Sequence, residues 1–130
     1  MKFAIAVMSS PHAPATRRAL RFTEAALAAG HDVVRVFFYG EGVHTASASL
    51  VVPQDEVDVG AQWRSLIAER QLDAVVCIAA GLRRGVLNAE EAARWERPAA
   101  AVLPPIELSG LGQLHEAAQH ADRLICFGGD

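Results

Sequence analysis

Apolar positions along the chain switch between short β-branched runs and longer stretches where they recur at helical spacing, the pattern of strands alternating with helices. Lys2–Met8 predicts a first strand, and Ser9-Ser10-Pro11-His12-Ala13-Pro14 a turn after it. From Pro14 onward, Ala15, Ala19, Phe22, Ala26 and Ala29 fall on one side of a helix, and Arg17, Arg21 and Glu24 on another. Gly30 ends that helix, as glycine commonly does just past a helix C-terminus. Asp32–Phe38 predicts a second strand, apolar enough throughout to be buried on both faces. The segment from Tyr39 to Val57 shows no clear period, a length of loop that in so small a domain is usually functional or mobile. Helical spacing resumes from Asp58 to Arg70 through Val59, Trp63, Leu66 and Ile67, with Asp58 as the cap.

Leu72–Ile78 predicts a third strand, leading through a turn at Ala79-Ala80-Gly81 into Leu82-Arg83-Arg84-Gly85. Asn88 is placed to cap a short helix over Ala89–Trp95. Three prolines make Arg97–Leu108 irregular, with at most a short extended piece at Ala99–Leu103. Ser109 is expected to cap a last helix in which Leu111, Leu114, Ala118 and Ala121 share a face. Asp122–Phe127 then closes the fold as a strand, and Gly128-Gly129-Asp130 reads as a frayed end. Strand and helix in this order predict an α/β fold: a single domain over residues 1–127, built on a parallel sheet of about four to five strands with helices on both faces. No internal repeat, low-complexity tract or second domain interrupts it.

Size and charge narrow the function. A chain of 130 residues is one domain's length, and burial of about two-thirds of its unfolded surface is expected. With 52% apolar and 21% charged residues, the chain is not of the disordered class. Its apolar runs fall well short of the ~20 residues of a membrane-spanning helix. The opening Met-Lys-Phe-Ala-Ile-Ala-Val-Met is stopped by Ser9-Ser10-Pro11, too soon for a secretory signal, so a cytoplasmic location without membrane attachment is expected. Net charge is −3, and the arginines are dispersed apart from the pairs Arg17-Arg18 and Arg83-Arg84, which argues against direct nucleic-acid binding. Cys77 and Cys126 form no disulfide framework and no paired C-x-x-C, and in a reducing compartment both begin as free thiols.

The turn after the first strand carries neither G-x-G-x-x-G nor the P-loop pattern, and the chain lacks a G-x-S-x-G elbow and an H-E-x-x-H motif. His115 and His120 are five residues apart rather than three or four, and each histidine reads as structural. Neither a cofactor nor a metal is therefore expected. Cys77 stands out by position, because ligands in open parallel sheets bind beyond the carboxyl ends of the strands. The turn and helix start after it would aim backbone N–H groups at that crevice, and Arg83 and Arg84 follow closely. Both effects favour a thiolate, the reactive form of cysteine. The alternative is a small apolar core residue in Val-Val-Cys-Ile, since unpaired cysteine is among the most buried residue types. On position and composition alone, that alternative is the stronger of the two. Cys126, in Leu-Ile-Cys-Phe with no basic cluster after it, reads as core, and Arg83-Arg84 reads equally as a solvated turn with Gly85 at positive φ.

The segment Cys-Ile-Ala-Ala-Gly-Leu-Arg-Arg-Gly-Val, Cys77 to Val86, resembles the active-site segment of the DsrE-like sulfurtransferases, and within them the TusD group. Met1–Val7, Val34–Tyr39 with Glu41-Gly42-Val43, Leu108–Gly112 and Asp122–Phe127 match the same family in order and spacing. Thr45–Asp55 and Arg97–Glu107 match none of its motifs. The resemblance implies a DsrE-like parallel-sheet domain whose Cys77 carries sulfur as a persulfide, with Arg83 and Arg84 as candidates for stabilising the thiolate or persulfide. It implies assembly with TusB-like and TusC-like paralogous subunits, a TusA-like sulfur donor and a TusE-like acceptor, in a relay that thiolates the wobble uridine of tRNA without touching the tRNA. It equally allows a DsrE-type subunit working with DsrF and DsrH in sulfur oxidation. A non-catalytic assembly subunit of the same fold is the third reading, for which Leu50-Val51-Val52 would suit an interface.

Overall fold

The computed structural model describes residues 1–129. In chain order the elements are β1 (Lys2–Val7), α1 (Pro14–Ala28), β2 (Asp32–Phe38), a 3-10 helix (Gly40–Ala46), α2 (Val59–Arg70), β3 (Ala74–Cys77), α3 (Ile78–Arg84), α4 (Ala89–Arg94), β4 (Glu107–Ser109), α5 (Gly112–His120) and β5 (Arg123–Phe127). The five strands form one sheet in the order β4-β3-β2-β1-β5, with every pairing parallel. The chain steps outward from β1 to β4, then returns to lay β5 on the far side of β1, so the winding reverses between β1 and β5.

Alternation along the strands assigns the two faces. Phe3 meets Phe22 of α1 edge-on at 5.3 Å, and Phe38 meets Trp63 of α2 at 5.7 Å, which puts α1 and α2 on one face. Arg35, of opposite parity to Phe38, donates from Nη1 to the Gln113 carbonyl of α5 at 2.8 Å on the other. Helices thus cover both faces, as the alternating pattern predicts. Ile5, Val7, Leu20, Val36, Phe38, Trp63 and Ile67 are almost wholly excluded from water and form the centre of the α1/α2 layer. Trp63 also has its polar end satisfied, Nε1 donating to the Thr16 carbonyl at 3.3 Å. Asp58 caps α2 by accepting from the Ala61 N–H at 2.9 Å, and Asn88 caps α4 by accepting from Glu91 at 2.9 Å, both as expected.

Five local expectations are corrected. The third strand stops at Cys77, and Ile78, expected to end it, begins α3. The presumed turn Ala79-Ala80-Gly81 is helical, because alanine, leucine and arginine favour the helix and Gly85, at φ 71°, ends it. No strand forms at Ala99–Leu103; instead the N–H groups of Ala101 and Val102 both donate to the Leu87 carbonyl, at 2.7 and 2.9 Å, and the edge strand β4 lies beyond Pro104-Pro105. Ser109 belongs to β4 and does not cap α5, whose N-cap is Leu111 with no side-chain hydrogen bond. Cys126 is exposed rather than buried, because β5 is an edge strand and α5 leaves Leu124 and Cys126 open on its face. The aperiodic Tyr39–Val57 segment holds the 3-10 helix. In the expected frayed end, Gly128 and Gly129 follow β5 at positive φ, and Asp130 lies outside the described residues.

Candidate active site at the end of the third strand

Cys77 is the last residue of β3 and the N-cap residue of α3, so strand and helix meet at its Cα. The geometry follows from the sequence. Ala74-Val75-Val76 is short, apolar and wholly buried between β2 and β4, and the helix-forming run after Cys77 turns the chain at once. Across the pairing with β4, Cys77 stands opposite Ser109. The residue retains only 2% of its surface, and no disulfide forms among the described residues. Access of a sulfur donor to Sγ thus requires the carboxyl rim of β3 and β4 to open.

The basic pair lies elsewhere. Arg83 and Arg84 occupy the last turn of α3, and a helix of that length separates its two ends by about 10 Å. Arg84 donates from Nε to Glu41 Oε1 at 3.1 Å and from Nη1 to the Ala80 carbonyl at 3.1 Å, tying α3 to the 3-10 helix. Arg83 is exposed. The arginines are therefore on the helix that begins at Cys77 but are not brought to its sulfur. Sequence reasoning missed Glu41 as Arg84's partner, because only the 3-10 fold of an aperiodic segment places it there. An open cavity of about 460 Å³ begins where α3 ends, lined by His44, Arg84, Leu87, Trp95 and Arg97 among others. Among the described residues no cluster of His, Cys, Asp and Glu is placed to hold a metal ion. No helix there is long and apolar enough to cross a membrane.

A five-stranded parallel α/β domain with a thiol at the carboxyl end of an inner strand defines the class. The DsrE/DsrF-like family matches residues 1–127, and the chain belongs to that family. Over 130 residues, all of this chain and 99% of its relative, it is 69% identical to a sulfurtransferase TusD homolog of Pseudomonas aeruginosa. It is 43% identical over 129 residues to a DsrE protein of Allochromatium vinosum, covering 98% of this chain and 99% of that one. With sulfurtransferase TusD of Salmonella enteritidis it shares 41% over 109 residues, 84% of this chain and 85% of the other. The crystal structure of the ychN protein from E. coli shares the fold, with a TM-score of 0.75 over 97% of both chains at 14% identity.

Proposed function

We propose that this chain is a sulfur-relay subunit that receives and passes on sulfur as a persulfide on Cys77. It is a sulfurtransferase, as its relatives of TusD and DsrE type are named, and the reading rests on one observation: Cys77 ends an inner strand where that strand turns into a helix. The Cys77 thiolate attacks the outer sulfur of a donor persulfide, the donor's S–S bond breaks, and the donor leaves as a thiolate. The acceptor thiolate then attacks the same outer sulfur and releases the Cys77 thiolate. Each step is thiol exchange with no net oxidation, so it needs no cofactor or metal, and access and leaving group set its rate.

The TusD likeness supports a cytoplasmic complex with TusB-like and TusC-like subunits, fed by a TusA-like donor, emptied by a TusE-like acceptor and serving tRNA thiolation. In this reading the burial of Cys77 is relieved when a partner engages the rim. Arg83 and Arg84 act on the sulfur only across the length of α3, as a screened positive field. The DsrE likeness supports a second reading, the same chemistry in sulfur oxidation. Loss of tRNA thiolation in a strain deleted for this gene assigns the first, and retention the second.

The direct test is incubation of the full chain with a persulfide donor, alone and with partner subunits, followed by intact mass measurement. The parent gains one sulfur atom and Cys77→Ser does not. Equal loading of the variant removes Cys77 from the mechanism. A thiol inert under every condition, with firm assembly, would make this a non-catalytic subunit, a reading favoured by the 2% exposure of Cys77.

A further inference from the structure

Two strands away from Cys77, the carboxyl ends of β1 and β5 frame an open cavity of about 780 Å³, lined by Ser9, Ser10, Ala15, Arg18, Glu41 and Gly128 among others. This is the place where the winding of the sheet reverses, the position at which parallel α/β sheets commonly take their ligands. Three features give it a chemical sign. The 15-residue α1 starts here with Ala13 as its N-cap, which supplies no side-chain hydrogen bond, and its first turn holds no acidic residue. Of the N–H groups around that start, Ala13 donates to Ser10 and Thr16 to Ala13, while those of Ser10 and Ala15 have no backbone partner among the described residues. Such a helix start carries partial positive charge and free donors.

Ser9 is the second, independent feature. It is 93% buried, being 7% exposed, yet its side chain reaches the cavity wall beside Gly128, where any larger residue would collide with its hydroxyl. The Ser9 carbonyl is taken by Thr16 Oγ1 at 2.9 Å, but the Ser9 hydroxyl makes no hydrogen bond among the described residues. With no partner among the described residues and a place on the cavity wall, that hydroxyl is free to donate to whatever enters the cavity. Arg18, also on the wall, is exposed and forms no ion pair among the described residues. Among the described residues the one carboxylate on the wall, Glu41, is already paired with Arg84 at 3.1 Å and lies within 3.4 Å of His44.

We propose that this cavity is a binding site for a small oxyanion of the phosphate or sulfate type, held by the Ser9 hydroxyl, the free N–H groups of Ser10 and Ala15 and the Arg18 guanidinium. Oxyanions with several acceptor oxygens match this set of convergent donors. The site is distinct from Cys77, about 10 Å away across two strand spacings, and does not depend on persulfide chemistry.

The test is a titration of the ¹⁵N-labelled full chain at fixed ionic strength with inorganic phosphate, with sulfate, and with a phosphate monoester, using chloride as control. Phosphate and sulfate are expected to give saturable shifts at Ser9, Ser10, Ala15 and Thr16, with a dissociation constant on the order of 1 mM. Equal binding of the monoester and free phosphate assigns the ion itself, and tighter binding of the monoester a phosphate-bearing metabolite. Arg18→Gln, at an exposed position, is expected to weaken binding about fivefold or more. Ala13→Asp, which places the chain's own carboxylate on the same N–H groups, is expected to abolish binding. Cys77→Ser binds as the parent does, so failure of the relay reading leaves this result untouched. Shifts matched by chloride, absence of saturation, or binding unchanged in both Arg18→Gln and Ala13→Asp would overturn the proposal.

Discussion

Cys77 and Cys126 lie on the same face of the sheet but three strand spacings apart. The register runs Cys126, Ala6, Phe37, Val75 across β5, β1, β2 and β3, and Cys77 sits two residues beyond Val75 on that face. At about 4.8 Å per spacing the two cysteines are roughly 14 Å apart or more, beyond the reach of a disulfide. Cys126 is exposed and Cys77 is 2% exposed.

Alkylation of the native lone chain is therefore expected at Cys126 first, with Cys77 modified only slowly or after unfolding. Peptide mapping by mass spectrometry at successive times reads the order directly. Mild oxidation should give no intramolecular disulfide, and any disulfide found should join two chains through Cys126. Labelling of Cys77 as fast as Cys126 would show that the rim over β3 stands open in the free chain.

Replacing the arginines of α3 separates a direct from a distant role. Arg84→Ala breaks the contact with Glu41, a partly exposed ion pair worth at most about 1 kcal/mol, and Arg83→Ala removes an exposed charge. With both arginines at the far end of α3 from Cys77, each substitution is expected to slow persulfide loading less than about threefold at moderate salt. Timed intact-mass measurements give the rates. A tenfold loss in either variant would mean that its guanidinium reaches the sulfur in the working complex.

The sheet and its covering helices were legible because their signal is periodic: β2 has the predicted bounds, and α2 begins one residue past its predicted cap, Asp58. What was not legible depended on contacts between distant residues. The helix-forming run after Cys77 starts α3, but apolar Ile78 reads equally well as strand, and only the ladder, whose last pair is Cys77 with Ser109, shows where the strand stops. The placing of β4 after Pro104-Pro105 is likewise set by edge pairing with β3. For the site, Cys77 could be singled out from position, and the family likeness raised it above a core cysteine. Its burial, Glu41's claim on Arg84 and the unpartnered Ser9 hydroxyl needed the fold, because each arises where loops that are far apart in sequence converge.

Trp63 carries the packing of α2. It is fully buried, stacks edge-on against Phe38 and spends its single donor on the Thr16 carbonyl of α1, so one side chain joins β2, α1 and α2. Trp63→Ala leaves a large cavity and an unpaired carbonyl, and a loss of about 3–5 kcal/mol is expected. Urea unfolding followed by circular dichroism measures it. Trp63→Phe, which keeps most of the volume, should lose clearly less. Equal losses would mean that the hydrogen bond to Thr16, and not the ring, does the holding.

Arg35 holds α5 to the opposite face. Its guanidinium donates to Asp73 Oδ2 at 2.7 Å from Nη2 and 3.0 Å from Nε, donates to the Gln113 carbonyl at 2.8 Å, and lies 3.6 Å from Glu116. Hydrogen bonding to Asp73 raises its pKa above the ordinary arginine value, against a lowering by burial, and the charges of Asp73 and Glu116 add to the rise. The sign follows directly. A folded pKa raised above the unfolded one gives stability that is complete below the unfolded value and lost only above the raised one. Arginine's ordinary value already lies beyond any working pH, so Arg35 contributes no pH dependence near neutrality. Arg35→Met is therefore expected to lose about 1–3 kcal/mol, with the loss constant over about pH 6 to 9. Glu116→Gln, at the longest and most exposed of these contacts, should cost under about 0.5 kcal/mol. Urea unfolding of both variants at several pH values reads this, and a loss that varied across that range would show that another titrating group shares the contact.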